Sequence, residues 1–375
     1  MRFVSLGPVP PLRGGISHYN ASLIGALRDA GHDVLPISFR KMYPPMLFPG
    51  SSELDLNSTP VEGMQRVLLP WSPLSWSEAK KLVREFEPDR IIAHHWHPFF
   101  VLAMRSVVST MPKEKVDIVA HNVLPHEHGT VGRILNPYLF RHASRIYIGA
   151  KSEDKVLKRL APGAEAVFMP HPVYDRFSDR HSYQKQAEAK RELGYSPDDI
   201  LLVHLGLIRK YKGVDILLDA FKGVKQPNVR LEVAGEFYQD FEEYQHQVER
   251  LQLGDRVKLV NQYLSDGQLS LRLHAADAVV LPYRHATQSG IAMAALAAGV
   301  PVVASRVGSL ADVVQEGELG CLAEPENEQD LTRALLRFLQ IGVDRWRMSR
   351  SKIVEAVRSN YTWNALVAKI VREAE

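Results

Sequence analysis

Short apolar runs alternate with amphipathic helical patterns along most of the chain. Runs such as Ile200–Gly206 are nearly continuous in valine, isoleucine and leucine, as expected for parallel strands that are covered on both faces. Helical patterns such as Ile16–Ala30 and Val214–Val224 lie between the runs. The predicted strands are Arg2–Gly7, Asp33–Phe39, Gln65–Pro70, Arg90–His95, Asp117–Asn122, Ser144–Gly149, Ala166–Pro170, Ile200–Gly206, Arg230–Gly235, Val257–Asn261, Ala278–Pro282 and Pro301–Ser305. This alternation predicts an α/β fold of doubly wound parallel sheets.

The alternation stops between residues 172 and 198, where a polar run extends from Ser178 to Lys190, and it restarts at Ile200. We therefore expect two Rossmann-like domains, residues 1–172 and 173–359. Ligands of open α/β sheets bind beyond the carboxyl ends of the strands, so two such domains facing each other predict a central ligand cleft. Residues at strand ends are the candidates for chemistry.

The composition limits the classes of protein that fit this chain. A chain of 375 residues is too long for one ordinary hydrophobic core, and its length suits two domains of fewer than about 200 residues each. A formal net charge of +3 gives no reason to expect nucleic-acid binding. Cys321 is the one cysteine, so no intrachain disulfide can form and a reducing compartment is expected. No run predicts a signal peptide or a transmembrane helix, which favours a cytoplasmic protein.

Gly14 and Gly15 follow the first predicted strand and precede the first helix. Glycine lets a ligand approach the backbone, and a helix N-terminus offers N–H groups to an anion, although a plain turn would have the same sequence. The chain has neither a GxGxxG nor a Walker A pattern. That absence argues against dinucleotide oxidoreductases and P-loop NTPases.

Histidines cluster near the ends of two predicted strands. The cluster contains His94, His95, His97, His121, Asn122, His126, Glu127 and His128. The spacing matches no zinc motif, so sugar-hydroxyl binding or packing is favoured over a metal site. We predict a direct role for His121, because a His-Asn pair at a strand end can hydrogen-bond a substrate with defined geometry.

Two loops of the second half combine polar groups with a helix start. Arg209 and Lys212 lie between its first strand and the next helix, where arginine offers phosphate a bidentate fork and lysine a point charge. A solvated basic loop is the alternative interpretation. Gln288, Ser289 and Gly290 precede an alanine-rich helix. With Ser289 as its N-cap, that helix would direct the N–H groups of its first turn at an anion.

In order and spacing, these segments resemble the family-4 retaining glycosyltransferases of the GT-B fold. The resemblance covers most of the chain. The segments that carry it are Gly14-Gly15, His121 through Glu127, Pro170 through Tyr174, Arg209 through Gly213, Leu231 through Gly235, Ala275 through Tyr283, Ala298 through Ala304, and Tyr361-Thr362-Trp363.

The resemblance implies that the second domain binds a UDP- or GDP-sugar and the first binds a glycan or lipid-linked acceptor. Arg209 and Lys212 would hold the diphosphate leaving group, and His121 would contact the donor sugar. Further nucleotide and phosphate contacts would come from Gly14, Gly15, Gln288, Ser289 and Gly290, and acceptor or sugar contacts from His95, His97, Asn122, His126 and Glu127. The resemblance also implies retention of anomeric configuration, no metal or other cofactor, and a last helix, about residues 360–375, that packs back on the first domain.

One departure concerns two glutamates that the family usually carries beside the glycine-rich turn. Aligned on Gly299 and Pro301, their positions hold Ala286 and Ala294 here, and no carboxylate occurs from residue 278 through 311. The donor's identity is therefore not carried over, although Gln288 could replace part of the lost bonding. A non-catalytic nucleotide- or glycan-binding protein and another sugar-nucleotide enzyme, such as an epimerase, are the alternatives.

A membrane contact is a lesser hypothesis. Trp71 and Trp76 accompany a helix with Lys80, Lys81 and Arg84, and the loop at residues 40–48 mixes basic and apolar groups. Such surfaces can lie on the anionic inner face of a membrane. A solvated helix face with its aromatic rings turned inward is favoured over it.

Overall fold

The structure is a computed structural model that describes residues 1–44, 53–55, 58–124, 129–173 and 183–372. The strands are β1 (Arg2–Leu6), β2 (Asp33–Phe39), β3 (Gln65–Leu68), β4 (Arg90–His95), β5 (Val116–Ala120), β6 (Arg145–Ile148), β7 (Glu165–Phe168), β8 (Ile200–Leu205), β9 (Val229–Gly235), β10 (Val257–Asn261), β11 (Ala278–Leu281), β12 (Val302–Ser305) and β13 (Gly320–Ala323). The helices are α1 (Gly15–Asp29), α2 (Pro73–Phe86), α3 (Val101–Val108), α4 (Gly129–Phe140), α5 (Asp154–Leu160), α6 (Tyr183–Glu192), α7 (Val214–Phe221), α8 (Phe241–Arg250), α9 (Asp266–Ala275), α10 (Gly290–Ala297), α11 (Leu310–Val313), α12 (Glu328–Ile341), α13 (Val343–Asn360) and α14 (Trp363–Arg372).

The chain divides into two compact units. The first contains residues 1–170 and the chain from Trp363 onward, and the second contains His171–Thr362. The strand order is β3-β2-β1-β4-β5-β6-β7 in the first unit and β10-β9-β8-β11-β12-β13 in the second. Neighbouring strands are parallel in both sheets. Both units are therefore doubly wound and Rossmann-like, which confirms the predicted fold class.

The strand order places a topological switch point in each sheet. The order reverses between β1 and β4 in the first unit and between β8 and β11 in the second. The loops that leave two such strands run to opposite sides of the sheet, so the space between them stays open for a ligand. The loops after these four strands include Gly14, Gly15, Arg209, Lys212 and the 288–290 turn.

Helix α14 belongs to the first unit, although it follows the whole second unit in the chain. The indole of Trp363 packs edge-on against the ring of Tyr19, with 5.1 Å between the ring centroids. The Nζ of Lys369 donates a hydrogen bond of 2.6 Å to the carbonyl oxygen of Phe168. The C-terminal helix thus completes the core of the unit that contains the N-terminus.

The polar run at the domain break includes a helix, α6, which its polar composition does not predict. Helix α6 contains Gln186 and Lys190, both of which are buried. The Lys190 ammonium lies 2.7 Å from a carboxylate oxygen of Asp277, and Gln186 donates to the same carboxylate at 3.0 Å. The buried face of α6 therefore carries polar residues, because they pair with the buried carboxylate at the start of β11. A pattern of apolar residues is missing, so hydrophobic periodicity indicates a solvated segment.

A second buried carboxylate joins three strands of the first unit. Asp117 of β5 accepts bidentate hydrogen bonds from Arg90 of β4 at 2.7 and 2.9 Å, and from Arg145 of β6 at 2.9 and 3.0 Å. All three side chains are buried. They lie at the amino-terminal ends of these strands, so this ion cluster is at the edge opposite to the strand ends where ligands bind.

Replacement of Asp117 by asparagine should destabilise the first unit by about 3–5 kcal/mol, because two guanidinium groups would remain buried without a counter-charge. Urea unfolding followed by tryptophan fluorescence measures the change. Asp154→Asn is the matched control, since Asp154 pairs with Lys158 at a solvent-exposed site and should change stability by less than about 1 kcal/mol. Equal unfolding midpoints for both variants would show that the cluster contributes nothing.

Candidate functional site

The loop after β8 is shaped by a close approach to the end of β11. Residues Lys210–Lys212 form a single 3-10 turn, and Gly213 ends the turn with φ of 67°. A Cβ atom at Gly213 would lie 2.1 Å from the carbonyl oxygen of Pro282. Glycine is therefore required at this position both by its left-handed backbone and by the lack of space.

Arg284, just beyond β11, clamps the same loop. Its guanidinium forms a bidentate pair with Asp215 at 2.9 and 2.6 Å and donates to the carbonyl oxygen of Lys210 at 2.6 Å. Its backbone N–H donates to the carbonyl oxygen of Tyr211 at 2.8 Å. Burial alone would raise the pKa of Asp215, but Arg284 holds that pKa below its ordinary value. The loops after β8 and β11 thus form one braced assembly.

The ammonium group of Lys212 is buried inside this assembly. Its Nζ lies 5.5 Å from the centre of the Tyr283 ring, and a Cβ at Gly206 would be 3.1 Å from Nζ and 3.6 Å from Cγ1 of Ile291. The ammonium therefore lies beside the first turn of α10. Burial, and then the charge of Arg209, lowers the pKa of Lys212 to about 8. In the described part of the chain Lys212 has no carboxylate as an ion-pair partner.

Arg209 lies at the mouth of the same loop and is half-buried. Its Cζ is 4.8 Å from the centre of the Tyr238 ring, a stacking geometry that suits a planar guanidinium. The backbone holds this pair together, because Ile208 donates to the carbonyl oxygen of Glu236 at 2.8 Å and Tyr238 donates to that of Ile208 at 2.9 Å. The loop after β9 thus orients the side chain that the sequence assigned to phosphate.

Helix α10 begins where the sequence predicted a capped start. The Ser289 hydroxyl accepts a hydrogen bond of 3.2 Å from the backbone N–H of Ala292. Other N–H groups of a first helical turn have no intrahelical partner and can bind an anion. The Oε1 of Gln288 is buried and accepts no hydrogen bond from any residue that the structure describes. Such an acceptor suits a hydroxyl or amide donor on a ligand.

The alanine-rich body of α10 is core, as its composition suggested. Ala294, which occupies the second of the two glutamate positions, is 1% exposed. A larger acidic side chain would be forced into a packed interior there. The packing around α10 therefore matches the alanine at this position and not the family's glutamate.

His204 of β8 is a component of the site that the sequence analysis missed. Its Nδ1 lies 2.8 Å from the carbonyl oxygen of Val280, which can only accept, so Nδ1 carries the proton. Nε2 is buried without a hydrogen-bond partner among the described residues. Burial, and then the charge of Lys212, lowers the pKa of His204 to about 3, so the ring is neutral. A histidine inside an otherwise apolar strand was the available signal.

In the first unit, the structure brings His121 together with His94, a member of the histidine cluster to which the sequence assigned no role. His94 is fully buried, and its Nδ1 lies 3.1 Å from Nε2 of His121. Its Nε2 lies 3.5 Å from the hydroxyl of Ser5, and that hydroxyl donates at 2.5 Å to Oδ1 of Asn20. Burial lowers the pKa of His94 to about 3, so the ring is neutral. The ring of Tyr19 packs edge-on against both imidazoles.

This chain of hydrogen bonds assigns the tautomers of both rings. Asn20 donates from Nδ2 to the carbonyl oxygen of Pro8 at 3.1 Å, so its Oδ1 faces Ser5. The Ser5 proton is used on Asn20, so His94 must donate from Nε2 and accept at Nδ1. His121 then donates from Nε2. The relay fixes the orientation of the ring of His121 beyond the end of β5.

The remaining predicted residues have different environments. Gly14 has φ of 116°, and a Cβ at Gly14 or Gly15 would meet nothing within 4 Å, so the backbone there is open to a ligand. His97 accepts a hydrogen bond from the N–H of Phe99 at 3.2 Å and thereby caps a short 3-10 turn. Asn122 is half-buried beside His121. His126 and Glu127 lie outside the described residues.

His95, which is predicted to face the acceptor side, lies in the interior of the first unit, and its role in acceptor binding stays a prediction. His95 is fully buried, and its ring packs edge-on against Phe140 at 5.0 Å. Successive side chains of a strand point to opposite faces of the sheet, so His94 turns toward Tyr19 while His95 turns into the core. Burial, and then His97, lowers the pKa of His95 to about 3. The neutral His95 ring is a packing element.

The described residues contain neither a cluster of metal-ligating side chains nor a helix that could span a membrane. No group of three or more histidine, cysteine, aspartate or glutamate side chains could hold a metal ion there. Within the same residues, no helix combines the length and the apolar content that crossing a bilayer requires.

Known proteins share both the sequence pattern and the fold. Residues 185–358 match the protein family described as "Glycosyl transferases group 1". A D-inositol 3-phosphate glycosyltransferase of Catenulispora acidiphila is 29% identical over 269 residues, which cover 66% of this chain and 64% of that protein. The sulfoquinovosyl transferase of Arabidopsis thaliana is 24% identical over 394 residues, which cover 99% of this chain and 72% of that protein.

Anabaena HepE, whose crystal structure is a complex with UDP and glucose, has a TM-score of 0.78 to this chain at 17% identity, over 99% of both chains. At that level of identity, the likeness shows the fold alone. The family match lies within the second unit, which contains Arg209, Lys212 and α10. The chain therefore has the two parallel-sheet units of GT-B glycosyltransferases, and its sequence relatives support glycosyltransferase function.

Proposed function

We propose that this chain transfers a sugar from a nucleoside diphosphate-sugar to a glycan or lipid-linked acceptor of a cell-surface polysaccharide. The observation that carries the proposal is the buried ammonium of Lys212, which has no carboxylate partner among the described residues and lies beside the start of α10. Buried charges are normally paired, so this arrangement favours an anionic ligand. A diphosphate fits the combination of an ammonium, a guanidinium and helix N–H groups.

The proposed chemistry follows from where charge develops. As the anomeric C–O bond breaks, its electron pair leaves with the diphosphate, and negative charge grows on the phosphate oxygens. Lys212, Arg209 and the first turn of α10 are already oriented, so they stabilise the transition state more than the ground state. The clamp of Arg284 on Asp215 keeps the lysine loop from reorganising. Retention of configuration and independence of metal ions remain proposals, taken from the family resemblance.

We further propose that His121 hydrogen-bonds the donor sugar. Its ring is held by the neutral His94, so it offers one defined orientation to a hydroxyl. Gln288 presents a buried acceptor beside Ser289 and takes over part of the sugar or nucleotide bonding that glutamates supply in the family. UDP- and GDP-sugars are the donors to test first, and the HepE complex makes UDP-glucose the natural starting point.

A non-catalytic nucleotide- or glycan-binding protein is the second candidate, and the burial of Ala294 favours it, because the position cannot supply a carboxylate. Calorimetry with a panel of UDP- and GDP-sugars, run beside transfer assays with a broad acceptor panel, separates the two functions. A transferase should bind one donor and consume it. Tight binding without transfer or hydrolysis would favour the binding protein, and donor conversion without an acceptor would identify an epimerase-like enzyme.

Replacement of Arg209 or of Lys212 by alanine should each lower kcat by about 10²–10³-fold, because a positive group would be lost where the leaving group gains charge. Initial rates of donor consumption measure the loss. Lys210→Ala is the matched control, since it removes the same charge from a solvent-exposed position of the same turn and should leave kcat nearly unchanged. Three variants with equal rates would contradict the assignment.

The pH dependence of kcat/KM should have an alkaline limb near pH 8. Lys212 is charged below its pKa of about 8 and neutral above it, so kcat/KM should fall as the pH rises through that value. The alkaline limb of the kcat profile should lie at higher pH than that of kcat/KM, because a bound diphosphate favours the charged form of Lys212. In Arg209→Gln the limb should move to higher pH, since Arg209 lowers the pKa of Lys212. An alkaline limb unmoved by this substitution would exclude Lys212 as its origin.

A further inference from the structure

Helix α4 of the first unit has an apolar stripe on the side that faces solvent. Val131, Ile134 and Tyr138 are 49%, 72% and 56% exposed, and they recur at the three- and four-residue spacing of one helix face. The opposite face of α4 is buried through Leu139 and Phe140. A helix that is apolar on both sides normally has both sides covered. The outer stripe is therefore an unpartnered apolar surface.

Arginines lie beside this stripe, and Glu114 acts electrostatically on His142 at its edge. The Cζ of Arg105, on α3, lies 5.1 Å from the centre of the Tyr138 ring. Arg105, Arg141 and His142 line a shallow pocket beside Ile134 and Tyr138. The sequences of α3 and α4 contain no aspartate or glutamate.

Within the part of the chain that the structure describes, Arg105, Arg133 and Arg141 form no ion pair with a carboxylate. The Nε of Arg105 is buried without a hydrogen-bond partner there. The charge and the unmet donor both call for an anionic partner.

The surface that the sequence suggested for membrane contact is different in character. Helix α2 exposes Leu74, and carboxylates lie among its cations, in the pairs of Arg40 with Glu78 at 2.7 Å and of Lys81 with Glu85 at 3.6 Å. Trp76 is half-buried and donates from Nε1 to the carbonyl oxygen of Leu69 at 2.9 Å. The α2 surface therefore mixes basic and acidic side chains, whereas the sequences of α3 and α4 contain basic side chains and no acidic ones.

We propose that the outer face of α4, with Arg105 of α3 beside it, lies on an anionic lipid bilayer. Val131, Ile134 and Tyr138 enter the interfacial region, and lipid phosphate groups occupy the pocket of Arg105, Arg141 and His142. The apolar stripe is only about 10 Å long, from seven residues of helical rise. That is too small for a stable protein interface, which buries about 800 Å² on each partner. A reversible bilayer contact needs only a few inserted side chains and nearby cations.

The test is co-sedimentation of the full chain with vesicles at low salt. Vesicles of phosphatidylcholine with about one third phosphatidylglycerol should bind the protein, and pure phosphatidylcholine should bind it far less. The double substitution Ile134→Ser and Tyr138→Ser should weaken binding by at least about tenfold, because it removes the inserted apolar groups. Arg133→Gln should weaken it by about fivefold, and high salt should weaken the wild type.

The matched control is the double substitution Met348→Ser and Lys352→Gln, which removes an exposed apolar and an exposed basic residue from α13 of the second unit. It should leave vesicle binding unchanged. Circular dichroism verifies that each variant is folded. Because vesicle binding is measured without donor or acceptor, its failure would leave the transferase proposal intact.

Four results would overturn the proposal. They are no wild-type binding to the anionic vesicles, equal binding of the serine double variant, equal binding to neutral vesicles, and complete release by millimolar glycerol phosphate. The last result would identify a soluble phosphate ligand in the pocket. A wild-type dimer in light scattering that the serine double variant dissociates would instead make the stripe a contact between two copies of the chain.

Discussion

The ammonium of Lys212 is enclosed by protein groups, and the rest of the candidate site is arranged around it. A lysine that is buried without a carboxylate has a lowered pKa, because burial disfavours its charged form, and an anionic ligand would favour that form again. The Nζ of Lys212 lies 5.5 Å from the centre of the Tyr283 ring and close to the backbone of Gly206, and its charge contributes to the lowered pKa of the neutral His204. Gly213 lets the loop pass close enough to Pro282 for this enclosure to form.

In both sheets, the buried ion clusters lie at the amino ends of the strands, and the candidate ligand-binding residues lie at the carboxyl ends. Buried ion clusters around Asp117 and Asp277 lie at the amino ends of the strands, where each carboxylate has two or more hydrogen-bonding partners. Burial would raise the pKa of Asp277, but Lys190 and Arg347 hold it below its ordinary value. At the carboxyl ends, Arg284 after β11 is paired with Asp215, but the buried ammonium of Lys212 after β8 has no carboxylate partner among the described residues. Charges are thus satisfied internally at one edge, and at the other the charge of Lys212 remains available to a ligand.

The first unit uses its polar groups differently from the second. The neutral His94 is hydrogen-bonded to His121 near the ends of its strands, so this pair supplies orientation. Its positive charge lies instead on the outer surface of α3 and α4, beside exposed apolar side chains. The second unit concentrates positive charge in one loop after β8. This division is consistent with a diphosphate donor on the second unit, and with an acceptor that is apolar or membrane-borne on the first.

The sequence by itself determined the fold class and most of the strands, because parallel strands that are buried on both faces must be continuously apolar. It also located Arg209, Lys212 and the cap at Ser289, since glycine and serine have local conformational roles that are readable in a short segment. It could not reveal α6, whose buried Gln186 and Lys190 are stabilised by a carboxylate about ninety residues away. Only the tertiary structure decided that His95 is core while His94 holds His121, because strand pleating sends adjacent side chains to opposite faces. The low pKa of Lys212 and the environment of the arginines beside the outer face of α4 likewise depend on which distant groups surround them, and no short segment of sequence contains that information.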